Sequence, residues 1–97
     1  MLIKYLYEYG DQKRPFGVIV ALGPDKIGVA LFNPKDTFTK KLGKKIAIGR
    51  AKFNIIPHVP DEFVYDWTGM LVHKEEIVDY ELGRMEVRAE KYFKEKV

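Results

Sequence analysis

The chain has 97 residues, 46% hydrophobic and 32% charged, with no cysteine. This composition describes one folded domain with a thin core, and it excludes disulfides and thiolate metal sites. The formal charge of +3 is unevenly spread: residues 35–52 hold seven of the seventeen Lys and Arg and a single acid, Asp36, for a net +6, and the rest of the chain sums to −3.

Residues 2–9 are rich in β-formers and read as a first strand, with Leu2 and Leu6 alternating against Ile3, Tyr5, Tyr7 and Tyr9. Residues 10–15 form a polar turn. Residues 16–22 are apolar on both faces and read as a central strand. Gly23-Pro24-Asp25-Lys26 places proline at the second position of a type I turn. Residues 27–32 follow as a third strand, closing an antiparallel hairpin that Asn33-Pro34 ends.

The next segment carries the charge. Asp36 or Thr37 is placed to cap a helix. At 100° per residue, Phe38, Leu42, Ile46, Gly49 and Phe53 share one arc, and Lys40, Lys41, Lys44, Lys45 and Lys52 share the opposite one. The expectation is an amphipathic helix packed on the sheet through Phe38, Leu42, Ile46 and Phe53, with Val18, Val20, Val29 and Leu31 among the core residues. Gly49 would bring it close to Gly17, Ala21, Gly28 and Ala30. Gly43 falls on neither arc, and flexibility is its only reading. Ile48 lies between Lys44 and Lys52, which makes it an expected contact residue outside the monomer core.

Pro57 and Pro60 bracket His58, and a short extra helix over residues 60–67 is admissible from Pro60-Asp61-Glu62. Residues 74–96 read as a long second helix with Val78, Leu82, Met85, Ala89, Tyr92 and Phe93 on one stripe. Its remaining faces are acidic, and residues 61–97 sum to −4. The expected fold is a single α+β domain over residues 1–97: a three-stranded antiparallel meander followed by two helices, β-β-β-α-α. Whether the acidic helix lies beside the basic one and neutralises it is open at this point.

The run Asn33-Pro34-Lys35-Asp36-x-Phe38-x-Lys40-Lys41-x-Gly43-x-x-Ile46-Ala47-x-Gly49-Arg50-Ala51 resembles one in small uncharacterised proteins of phages and other mobile elements. Arg88-Ala89-x-x-Tyr92-Phe93-Lys94 is similar to their C-terminal part. The resemblance covers about a quarter of the chain and implies an accessory protein of a virus or mobile element. It brings no known activity and transfers no functional residues. The order strand-strand-strand-helix with Lys40-Lys41 in the first helical turn is also similar to the double-stranded-RNA-binding domain, but that family's first helix is missing. Residues 14–20 resemble the stacking strand of the RNA-recognition motif, yet Val18 and Ala21 stand where its aromatic rings belong.

Catalytic chemistry finds little support. Without serine or cysteine the common covalent nucleophiles are absent. No phosphate-binding loop is present. His73 and Glu76 share a helix spacing but lack the second histidine of a zinc motif. Asp61, Glu62 and Asp66 have the spacing of an ordinary helix start more than of a magnesium site. The expectation is no enzyme, no metal and no cofactor.

The expected function is a small nucleic-acid-binding accessory protein that contacts phosphates without reading sequence, through Lys40, Lys41, Lys44, Lys45 and Lys52. The alternative is a protein-interaction module or homodimeric adaptor without catalytic activity, meeting an acidic protein surface or a second copy through Ile48. Tyr5, Tyr7 and Tyr9 read as a half-buried ladder, and Trp67 as a core or loop anchor. No apolar run is long enough for a signal peptide or a membrane span, so the expected location is cytoplasmic, with no membrane partner. The absence of serine, with one glutamine and two asparagines, gives a thermophile-like composition.

Overall fold

The computed structural model of the chain describes residues 1–8, 10, 14–32 and 40–94. Three strands, β1 (Leu2–Leu6), β2 (Gly17–Gly23) and β3 (Lys26–Leu31), form an antiparallel sheet in the order β1-β2-β3. Helix α1 (Lys40–Ala51) follows, then a two-stranded antiparallel hairpin, β4 (Phe63–Tyr65) and β5 (Leu71–His73), and finally helix α2 (Lys74–Lys94). The α+β class, the meander and both helices are as expected. The extra helix over residues 60–67 is not: Phe63, Val64 and Tyr65 alternate exposed, buried, exposed, which is the period of a strand, and they pair with Leu71–His73. The cap at Asp36 or Thr37, together with Phe38 and Tyr9, lies outside the described residues.

The sheet is the middle layer of three. Successive side chains of a strand point to opposite faces. Ile19 and Ala21 of β2, with Ile27 and Val29 of β3, form one cluster with Val78, Met85 and Ala89 of α2. Val18 and Val20, with Ala30 and the following Phe32, form another with Ala47 and Ala51 of α1. Burial on both faces is why β2 has no polar side chain. The α2 stripe is the one the sequence spacing marks, with Leu82 and Phe93 half-buried beside it.

Helix α1 seats differently. Its buried residues are Gly43, Ala47 and Ala51, one line at i, i+4 and i+8. Leu42 is 47% exposed and Phe53 76%, so neither packs on the sheet as expected, while Ile46 is half-buried against the cluster. Val18, Val20 and Val29 are fully buried, and Leu31 is half-buried. The close approach runs through Gly28 rather than Gly49: a Cβ on Gly28 would stand 2.2 Å from the Ala51 nitrogen and 2.4 Å from the Ala47 carbonyl oxygen, whereas one on Gly49 would meet nothing. Gly43 has the same kind of role, because the ring of Phe32 occupies the place of its missing side chain. Large apolar residues would hold helix and sheet apart; small ones let the backbones meet.

Helix α2 is joined to the hairpin by a nearly buried charge. Lys74 is 5% exposed, its Nζ donates to Glu62 Oε2 at 2.6 Å, and it stands 5.4 Å from the centroid of the Phe16 ring. Such a pair stabilises less than its Coulomb attraction suggests, because desolvation opposes it. Lys74→Met is therefore expected to leave the denaturant midpoint unchanged or raised. Glu62→Ala should lower it, by less than the ~3–5 kcal/mol of a fully enclosed pair, since Glu62 is half exposed. A midpoint that falls further for Lys74→Met than for Glu62→Ala would contradict this.

Candidate nucleic-acid interface

Helices α1 and α2 lie on opposite faces of the sheet, so the acidic helix does not cover the basic one. With Gly43, Ala47 and Ala51 turned inward, Lys41, Lys45 and Lys52 stand exposed on the outer side of α1 and Lys44 is half-buried on its flank. The ion pairs among the described residues are His73–Asp61, Lys74–Glu62, Arg84–Glu81 and Lys94–Glu90, and none includes these lysines. Lys40 is exposed but turns toward β1, where its Nζ lies 5.4 Å from the Tyr5 ring centroid and 5.6 Å from that of Tyr7. A side-chain hydrogen bond with Tyr7, and the charge interaction with that phenol, raise its pKa above the ordinary 10.5, so it stays cationic.

The structure thus brings Lys41, Lys45 and Lys52 together, with Lys44 at their margin, and sets Lys40 apart at the sheet edge. Ile48, expected within the lysine arc as an exposed contact, is half-buried and packs against the cluster of Val18, Val20 and Phe32. It sits on the flank of the Gly43–Ala47–Ala51 line, where the close seating of α1 brings it into contact with the sheet.

Arg50, the remaining cation of α1, is committed elsewhere. Its Nη1 donates to the Val29 carbonyl at 2.9 Å, and the Asn54 side-chain oxygen accepts the Ile27 N–H at 3.2 Å. Asn54, at φ 54°, is the left-handed residue that ends α1. Together they cover the outer edge of β3. Because backbone groups alternate in direction along an antiparallel strand, the β3 residues facing outward are Ile27, Val29 and Leu31, the first two of which Asn54 and Arg50 meet, and on β1 they are Ile3 and Tyr5. Among the described residues no backbone hydrogen bond reaches the outer side of Ile3 or Tyr5. Among the described residues, the β3 edge is met at two of its outward positions and the β1 edge at none.

Beside the open edge lies a groove of about 440 Å³ between β1, the first turns of α2 and the turn joining β4 to β5. Trp67, 80% exposed, and Tyr80, 61% exposed, line it with Tyr5 and Tyr7. Trp67 is not the core or loop anchor expected of it. Nothing in its local sequence reveals the groove, which is assembled from three separate segments. The turn that holds it is built on Asp66: Oδ1 accepts from Thr68 Oγ1 at 2.6 Å, from Thr68 N–H at 2.8 Å and from Met70 N–H at 3.0 Å, with Gly69 at φ 82°.

The Thr68 hydroxyl, followed by the backbone donors, holds the Asp66 carboxyl below its ordinary 3.8. A lowered folded value means that its stabilisation of the turn is complete above 3.8 and lost only as pH falls through the lower folded pKa. Emission from Trp67, the single tryptophan, should therefore be constant from neutral pH down to about 3.8 and change below it. In Asp66→Asn the part of that change owed to Asp66 should vanish. A wild-type transition centred above 3.8 would count against the assignment.

Among the described residues no group of three or more His, Asp or Glu is placed to hold a metal ion. His73 Nδ1 is 3.2 Å from Asp61 Oδ1, and its ring lies 4.4 Å, centroid to centroid, from that of Phe63. No helix of the described residues is long and apolar enough to cross a membrane. Comparison with protein-family models, curated proteins and solved structures gives no match in any of the three.

Proposed function

We propose that this chain is a small nucleic-acid-binding protein that grips the phosphate backbone through the outer side of α1 without reading sequence. The observation that carries the reading is the open basic face: Lys41, Lys45 and Lys52, with Lys44 beside them, lie across the sheet from the acidic helix and pair with no described carboxylate. A convex row of unpaired ammonium groups attracts a polyanion from any direction and releases its counterions on contact. The resemblance of residues 33–51 to mobile-element proteins suits an accessory role in a virus or mobile element. No catalytic step and no cofactor belong to this reading.

The test is binding of duplex DNA of random sequence against salt. Four neutralised phosphates give a slope of about −3.6 in log K against log salt, and a loss on the order of 10² in affinity between 50 and 200 mM. Binding indifferent to salt, or none at low salt, would sink the proposal.

A second reading has its own observation. The outward face of the β4–β5 hairpin carries Phe63, Tyr65 and Leu71, each about half exposed or more, as a protein-contact surface would. On that reading the chain is an interaction module or a homodimeric adaptor.

A further inference from the structure

The groove at the open edge of β1 combines three things that a phosphate-binding helix does not need. It has stacking surfaces: Trp67 and Tyr80 are largely exposed and stand beside the edge that carries Tyr5 and Tyr7. It has acceptors: Glu76 and Asp66 line it, each with one oxygen used within the chain, by the His73 N–H and by the β4–β5 turn, and the other carboxylate oxygen without a described partner. It also has the outward backbone N–H and C=O of Tyr5. Lys40, the first residue of α1, is held over Tyr5 and Tyr7, which line this groove.

We infer that the groove receives an unpaired base of a single-stranded nucleic acid, while the adjoining phosphates run past Lys40 onto α1. This rests on the phosphate-binding reading and adds a substrate class to it. The volume of about 440 Å³ falls within the range of small-molecule pockets, roughly 300–1,000 Å³, and suits one heterocycle rather than a duplex. Lys4 also lines the groove, but Asp66, Glu76 and Glu81 outnumber it, so the lining repels a phosphate on balance, while its carboxylates accept hydrogen bonds from the exocyclic amino group of a base, as they do from cytosine N4. A base with an amino donor should therefore be preferred over thymine. Stacking itself is tolerant of sequence, so the preference is set by those acceptors.

Trp67 supplies the readout, as the single tryptophan of the chain. An oligodeoxycytidylate of about ten nucleotides, within the ~4–16 of single-strand sites, should quench its emission at low salt, and the matching oligothymidylate should bind more weakly. Trp67→Ala, followed by anisotropy of the labelled oligonucleotide, should weaken oligodeoxycytidylate binding roughly five- to a hundredfold and leave duplex binding unchanged. Tyr80→Ala should act in the same direction. Both side chains are exposed, so neither change should lower the melting temperature appreciably. If duplex and single strand bind alike, with the expected salt slope and an unresponsive Trp67, the base site is overturned and the phosphate reading stands. If neither nucleic acid binds, both fall. Quenching by polylysine but by neither oligonucleotide would give the groove to a basic protein segment and overturn the base site. Equal affinity for the two oligonucleotides would remove the carboxylates from recognition and overturn the stated preference.

Discussion

Gly28→Ala should be among the most damaging single-methyl changes available to this chain, costing at least about 3 kcal/mol, the upper end of ordinary overpacking. The added carbon would run into helix backbone: the Ala51 nitrogen at 2.2 Å and the Arg50 carbonyl carbon bonded to it at 2.7 Å, and the Ala47 carbonyl oxygen at 2.4 Å. A flexible side chain could swing away, but a helical backbone cannot. Relief would require α1 to lift from β3, which would loosen Ala47 and Ala51 from Val18 and Val20 and pull Arg50 from the Val29 carbonyl. Chemical denaturation is the measurement, with Gly49→Ala as the comparison. Gly49 faces open space within the same helix, so its replacement should be neutral or gain up to ~1 kcal/mol from helix propensity. Equal midpoints for the two variants would show that α1 and β3 are not in backbone contact.

The largest effect on binding is expected from reversing two lysines together. Lys41→Glu with Lys45→Glu removes two phosphate contacts and puts two anions in their place. The salt slope should fall from about −3.6 to about −1.8, and affinity for duplex DNA at 50 mM salt should drop on the order of 100-fold, alike for every sequence. Both residues are exposed, so the fold should persist. The control is Lys91→Glu, which changes charge on α2, across the sheet. If Lys91→Glu weakens binding as much as a single change at Lys41, net charge rather than the α1 face is responsible, and the localisation fails.

The sequence reveals the sheet and α2 well because both are held by large side chains in regular periods. Residues 16–22 lack polar side chains since β2 is covered on both faces, and Val78, Met85 and Ala89 recur at helical spacing because one wide stripe of α2 is buried. Helix α1 defeats the same reasoning for a definite cause. Weighing side chains by hydrophobicity favours Leu42 and Phe53 and passes over Gly43, Ala47 and Ala51, yet contact area at a close crossing comes from backbone. The visible clue was a pair of matching small surfaces: Gly43, Ala47 and Ala51 at four-residue spacing, and Gly28 and Ala30 two apart on a strand. Shifting the buried line also separates Lys40 from its neighbours, and the close seating of the helix half-buries Ile48 on its flank. The hairpin over residues 63–73 is not legible because three-residue strands are too short to establish a period, nor is the groove, because its walls come from β1, the β4–β5 turn and α2.

The unequal edges of the sheet govern how copies of the chain can meet. Arg50 and Asn54 occupy the hydrogen-bonding positions that a further strand beside β3 would need, so growth on that side is blocked. Within the three-stranded sheet, β1 is the edge that the described residues leave uncovered. Two copies joined there would each turn the Arg50–Asn54 margin outward, which hinders that sheet from growing beyond the pair. The three-stranded sheet thus carries a guard against edge-to-edge extension, written into a helix C-terminus rather than into the strand it protects.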